Sequence, residues 1–205
     1  MIIRAIQEYD IISKNHNKKL LKIKGLLNIY KGISNQSKGR ESKYCKTWSD
    51  NVGKSTVDSI CNSTSYIFTK VFKTKSNENA FTTFKSCKSK FSGPGYARGF
   101  ISINARATND FKHKESMAYL GNRYFDVQTA NFFKTRGIKL DEDIWALSEL
   151  VQWVWRGCIR DSKEMNLFIP SMRMRKLLID WLDGKYIDAI KEIDIDSQSV
   201  NRISA

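Results

Sequence analysis

The chain has 205 residues, 41% of them hydrophobic and 12% aromatic, enough apolar material to bury one good core. Lysine and arginine total 35 against 21 acidic residues, and the net charge of +14, with a pI near 9.6, sets up a long-range field that draws polyanions. No apolar run approaches the ~20 residues of a membrane span, no basic-then-apolar leader opens the chain, and Cys45, Cys61, Cys87 and Cys158 lack the paired spacing of a zinc site. The composition therefore points to an intracellular protein with reduced cysteines whose leading partner is nucleic acid. Charge alone decides little, because a lysine-rich, AT-biased coding sequence gives the same balance.

In chain order, residues 1–27 carry apolar side chains at mixed spacing, which fits amphipathic helices or a helix feeding a strand. Tyr30 to Gly53 is rich in Gly, Ser, Asn, Lys and Arg and reads as a long basic surface loop. Asp50 or Asn51 caps a predicted helix running to about Phe72, in which Val57, Ile60, Cys61, Ile67, Phe68 and Val71 keep helical spacing. Lys73 to Ser92 is polar and closes in the turn Ser92-Gly93-Pro94-Gly95. Tyr96 to Ile103 is aromatic and β-branched and predicts a strand, followed by the polar loop Asn104 to Asn109 and a helix from about Asp110 to Phe125. Strand, polar loop and helix in that order place a site at the carboxyl edge of an α/β sheet. The acids Asp141, Glu142 and Asp143 suit a helix N-terminus, and Ile144, Leu147, Val151, Val154 and Cys158 line one face of a helix reaching about Arg160. Met165 to Ile169 predicts a short buried strand, and Met172 to Leu182 a helix ending near Gly184.

Gly53-Lys54-Ser55-Thr56 looks like the end of a phosphate-binding loop, but that fingerprint needs a glycine where this chain has Trp48, and no apolar strand precedes it. Capping by Ser49, Asp50 or Asn51 is the better account. Asp141 to Asp143 lacks the apolar strand that a magnesium-binding acidic box requires. Gln152, Arg156 and Arg160 recur every four residues, so on a continuous helix they share a polar face. Arginine there suits a phosphate, since its planar fork binds oxygens two at a time and stays charged. Trp153 and Trp155 flank that face, available to a partner lobe or to bases.

These segments carry a resemblance. Tyr96 to Trp181 resembles the C-terminal RecA-like lobe of superfamily 2, DEAD/DEAH-like DNA helicases, in a form associated with phage replication proteins. Gly99 to Asn109 (GFISINARATN) resembles the strand-and-loop motif V, Gln152 to Arg160 (QWVWRGCIR) resembles motif VI, and the strand and helix after Met165 resemble the elements that close the lobe. The resemblance implies a RecA-like, mostly parallel sheet flanked by helices over residues 93–184, a basic helical or loop extension over 1–92, and a tail over 185–205. It implies nucleic-acid contacts from Arg98, Arg106, Thr108 and Asn109, and a nucleotide-facing role for Gln152, Arg156 and Arg160. The second arginine follows the first by four residues where the family has three, which makes Arg156 the arginine finger. The implied cofactors are ATP and Mg2+, shared with a first lobe in cis or trans, and the implied partner is DNA, single-stranded or forked. Two rival readings stand beside this one. One is a non-enzymatic nucleic-acid-binding protein using basic segments 31–54 and 70–90 with Trp48, Phe81 and Phe84 stacked on bases. The other is a small inhibitor of a replication factor.

Overall fold

The structure, a computed structural model, describes residues 16–32, 43–104, 110–137 and 141–186. Four short parallel strands form one sheet: β1 (Leu27–Ile29), β2 (Asn79–Thr82), β3 (Ser116–Tyr119) and β4 (Met165–Phe168), in the order β1-β4-β3-β2. The helices are α1 (His16–Leu26), α2 (Lys46–Asn51), α3 (Lys54–Tyr66), α4 (Val127–Lys134), α5 (Glu142–Val154) and α6 (Met172–Leu182). The expected α/β class with a parallel sheet is what the structure has.

Alternation along the strands divides the core in two. Ala80, Met117, Tyr119, Met165 and Leu167 face α5, α6 and α1, packing with Leu147, Leu150, Val154, Leu178 and Leu20. Phe81, Ala118 and Phe168 face the other way, onto Val57 and Cys61 of α3 and onto Phe68 and Tyr96. Both faces are covered, which is why the strands read as nearly continuous apolar runs instead of alternating ones. The chain leaves β1 for the α3 face and β4 for the α6 face, so the strand order reverses between these neighbours, which is the switch point of such sheets.

A polar ladder crosses all four strands. Asn28 Nδ2 donates to Asn166 Oδ1 (2.8 Å) and Asn166 Nδ2 to Ser116 Oγ (3.2 Å). Thr74 Oγ1 then lies 3.0 Å from Ser116 Oγ and 2.6 Å from Asn79 Oδ1. Thr74 reaches this position because α3 widens into a π-helix at Ile67–Val71 and Lys73 turns the chain at φ 56°.

Several expectations are corrected. The segment read as an extension, 1–92, supplies β1 and β2, so the sheet is drawn from both sides of residue 92. Tyr96 to Ile103 is not a strand: Ala97–Gly99 is a 3-10 turn and Phe100 makes a single bridge to Phe81. Gly99 lies so close to β2 that a Cβ there would sit 2.1 Å from the Asn79 carbonyl oxygen, and that approach bends the chain. The helix expected over 110–125 is replaced by a turn at 110–113 and β3, since Met117, Ala118, Tyr119 and Leu120 are buried on both sides of a sheet, a pattern with no helical period. Helix α3 is capped by Gly53; Ser49, Asp50 and Asn51 belong to α2, inside the expected loop, whose cap is the Cys45 sulfur accepting from Trp48 N at 3.4 Å. Lys54 of the phosphate-loop look-alike pairs with Asp58 at 2.7 Å, one helical turn on. Helix α5 starts at the acids as expected but stops at Val154 instead of reaching about Arg160, while strand β4, helix α6 and Gly184 in the left-handed region (φ 82°) match the sequence reading. Most of the expected tail, from residue 187 on, lies outside the described residues.

Candidate functional site

Arg106, Thr108 and Asn109 of the motif V-like stretch lie outside the described residues, and Arg98 is exposed on its 3-10 turn. The rest of that stretch is anchored: Ile101 N donates to Phe81 O (2.9 Å), and Ile101 and Ile103 are buried.

The motif VI-like stretch is only partly helical. Helix α5 ends at Val154, and Cys158–Asp161 forms a 3-10 turn that leads into β4. After the break the chain passes close to the sheet at Gly157, where a Cβ would lie 2.4 Å from Met165 Sδ and 2.5 Å from Met117 Sδ, so only glycine fits there. Gln152, Arg156 and Arg160 therefore do not share one continuous helical face. Gln152 and Arg160 are exposed and Arg156 is half-buried. Trp153, expected on that outer face, is instead fully buried, 5.4 Å from the Tyr119 ring, and Trp155 packs edge-on against Trp181.

The two stretches, about fifty residues apart in sequence, meet. Trp153 Nε1 donates to Ile101 O at 3.2 Å. At the amino ends of β3 and β4, Cys158 N donates to Lys114 O at 3.0 Å, so the segment that follows the motif V-like loop lies against the end of the motif VI-like one. Lys114 is buried, and its Nζ donates to Asn77 O (2.5 Å); burial holds its pKa below the usual lysine range. Burial also lowers the Arg156 pKa, opposed by the carboxylate of Glu149 and reinforced by Arg160. The Arg156 Nε has no hydrogen-bond partner among the described residues, an arrangement that costs free energy unless an anion supplies one. Glu149, its pKa raised by burial, is shared with Arg123, whose Nη2 is 3.4 Å from Glu149 Oε2. On the opposite flank of the same edge, Glu78, Glu115 and Glu164 with Asn28, Asn166 and Lys73 line a cleft of about 580 Å3.

At the carboxyl ends of the strands the structure brings together residues that spacing did not reveal. Asn122 is buried; its backbone N donates to Tyr44 O (2.8 Å) and its Oδ1 accepts from Arg173 Nη1 (3.0 Å). Arg173 also donates to Arg123 O (2.7 Å) and to Asp143 Oδ1 (2.8 Å, from Nε), and covers the Tyr124 ring. Arg175 Nη1 donates to Ile169 O at 2.8 Å. Burial raises the Tyr44 hydroxyl pKa, moderated by Arg175. Asp141 caps α5 as its sequence suggests, accepting from Asp143 N and Ile144 N. Of the aromatics proposed to stack on bases, Phe81 is wholly buried, and Trp48 and Phe84 pack against the α3-side core. Among the described residues no helix is long and apolar enough to cross a membrane.

The SPbeta prophage-derived uncharacterized protein YonV of Bacillus subtilis (strain 168) is 48% identical to this chain over 115 residues, which is 56% of this chain and 28% of that relative. The aligned part is thus little more than a quarter of the relative's length. No solved structure matches the chain. The profile of the family described as the YonV C-terminal Rossmann-like domain covers residues 21–182. With that span enclosing every strand of the parallel sheet, the chain belongs to the family of YonV C-terminal Rossmann-like domains.

Proposed function

We propose that this domain is the second lobe of an ATP-dependent DNA helicase or translocase, giving nucleic-acid contacts and an arginine finger to an ATP site that a first lobe completes. The observation that supports it most is the meeting of the two helicase-like stretches through Trp153 Nε1 and Ile101 O, beside which Cys158 N bonds Lys114 O in the segment that follows the first of them. A shift of one stretch is thereby transmitted to the other. Arg156, half-buried with an unpartnered Nε, is the group that an incoming phosphate oxygen would complete. The first lobe supplies the phosphate-binding loop and, with the nucleotide, the Mg2+ ligands. ATP closes the lobes onto Arg156, and closure moves the loop carrying Arg106, Thr108 and Asn109 along the strand. The prophage origin in the relative's name agrees with the phage association of the resemblance.

The test is binding of single-stranded DNA by this chain, read by fluorescence anisotropy across a salt series with and without ATP and Mg2+. Tight, salt-sensitive binding that ignores ATP and weakens in Arg106→Ala supports the reading, and no binding at low salt overturns it. In the complete helicase, Arg156→Ala abolishes ATP hydrolysis and leaves DNA binding nearly intact; unchanged turnover removes Arg156 from the role.

A further inference from the structure

Helix α4 stands apart from both cores. It leaves the carboxyl edge after β3, and none of its residues is buried. Its root is firmly held: the Phe125 ring lies 4.7 Å from Trp145, Phe125 N donates to Glu142 Oε1 (2.7 Å), and Asp126 caps the helix through Thr129 N (2.8 Å). Beyond the root the helix carries apolar surface into solvent, with Val127 74% and Phe132 50% exposed. The Arg136 guanidinium lies 3.6 Å from the centre of the Phe132 ring, and Phe133 meets Phe132 edge-on at 5.2 Å. From Val127 to Gly137 there are two cations, Lys134 and Arg136, and no acid.

We propose that α4 is a stacking platform for single-stranded nucleic acid, with Phe132 and its Arg136 partner receiving a base and Lys134 meeting the backbone. An aliphatic ridge would fit a protein groove. An exposed ring already stacked with a guanidinium, in an acid-free segment of a chain with net charge +14, fits a flat π-surface tethered to phosphates. Gln128, Asn131 and Thr135 add uncharged donors and acceptors beside it. The platform uses none of the residues assigned to the proposed function; it shares with that reading only the class of ligand.

The experiment measures binding of labelled oligothymidylate to the whole chain by anisotropy over a salt series, for wild type, Phe132→Ala, Phe132→Trp, Arg136→Ala and Arg106→Ala, with sedimentation velocity on each. Because no residue of α4 is fully buried and Phe132 is 50% exposed, the Phe132 and Arg136 variants keep the wild-type melting temperature. Phe132→Ala weakens binding about tenfold with the salt slope unchanged, since a stacked base is lost and no phosphate contact is. Phe132→Trp binds like wild type, and Arg136→Ala weakens binding without the slope change of a lost phosphate contact, because its guanidinium stacks on the ring while Lys134 meets the backbone. Wild-type binding by Phe132→Ala, with loss in Arg106→Ala, overturns the platform and leaves the helicase reading standing. Failure of the wild type to bind overturns both. A change in sedimentation of Phe132→Ala with DNA binding intact makes α4 a self-association surface and also overturns the proposal.

Discussion

The two ends of the parallel sheet use arginine in opposite ways. At the carboxyl edge Arg173 holds the Asn122 side chain, the Arg123 carbonyl and the Asp143 carboxylate, and Arg175 holds the Ile169 carbonyl. Those donors are already committed to keeping the β3 and β4 exits together. At the amino edge Arg156 is half-buried with its Nε unpartnered, and its counter-charge, Glu149, is shared with Arg123. A guanidinium whose hydrogen bonds are complete is part of the scaffold, whereas one desolvated without a partner gains most when an external oxygen arrives. General sheet geometry directs attention to the carboxyl edge, where Arg123 also has an unpartnered Nε but gives its Nη2 to Glu149; Arg156, at the other end, has an unpartnered Nε and only a shared counter-charge.

That contrast breaks first at Arg173. Its side chain is 11% exposed, and Arg173→Ala should cost about 3 kcal/mol, by loss of its hydrogen bonds and by stranding Asn122 Oδ1. A urea midpoint close to wild type would dissolve the distinction. Next, Asn166→Ala removes the middle of the polar ladder and orphans Asn28 and Ser116, for a loss of about 1–2 kcal/mol in the same assay. Arg156→Met sharpens the comparison from the other side: its stability should stay within about 1 kcal/mol of wild type, because an unpartnered buried group is exchanged for an apolar one of similar length. A large destabilisation would make Arg156 a scaffold residue like Arg173.

The smallest effect concerns Asp180 of α6, whose carboxylate meets Lys176 Nζ and Lys185 Nζ at 2.6 Å each. Those two ammonium groups hold its pKa below the usual range. A depressed folded pKa gives stability that is present above the unfolded value, near 4, and is lost as pH falls toward the lower folded one. Asp180→Asn should therefore lose less than about 1 kcal/mol at pH 7, the lysines being largely exposed. The gap should narrow as unfolding is measured at successively lower pH below about 4.

How far the sequence revealed this molecule follows from the same physics. Helix α5 could be read because Asp141 announces its start and Ile144, Leu147, Val151 and Val154 keep one period; β4 and α6 could be read because Pro170-Ser171 punctuates them. Strands β1 and β2 could not. They are three and four residues long, β1 with a polar residue at its centre and β2 with one at each end, and they gain their stability from neighbours far along the chain. β3 was hidden inside an apolar run that fits a buried helix as well as a buried strand. For the candidate site, spacing put Gln152, Arg156 and Arg160 on one helical face, and the structure does not, because the helix stops at Val154 and the chain then packs close against the sheet at Gly157. The carboxyl-edge clamp left no trace, since Asn122 and Arg173 are fifty-one residues apart and meet only in the fold.

The polar ladder from Asn28 to Asn79 has a consequence for assembly. Strands this short offer few contacts to oppose a slip of one residue, and such a slip would carry each amide to the opposite face, into the apolar layer under α5 and α6, where its donors would go unanswered. The row of amides and hydroxyls works as a combination lock with a single opening position. Its last tumbler is Asn28, which must find Asn166 across 138 residues of intervening chain. The sheet closes late, after the slow search that distant pairing imposes, and once closed it has only one way to be right.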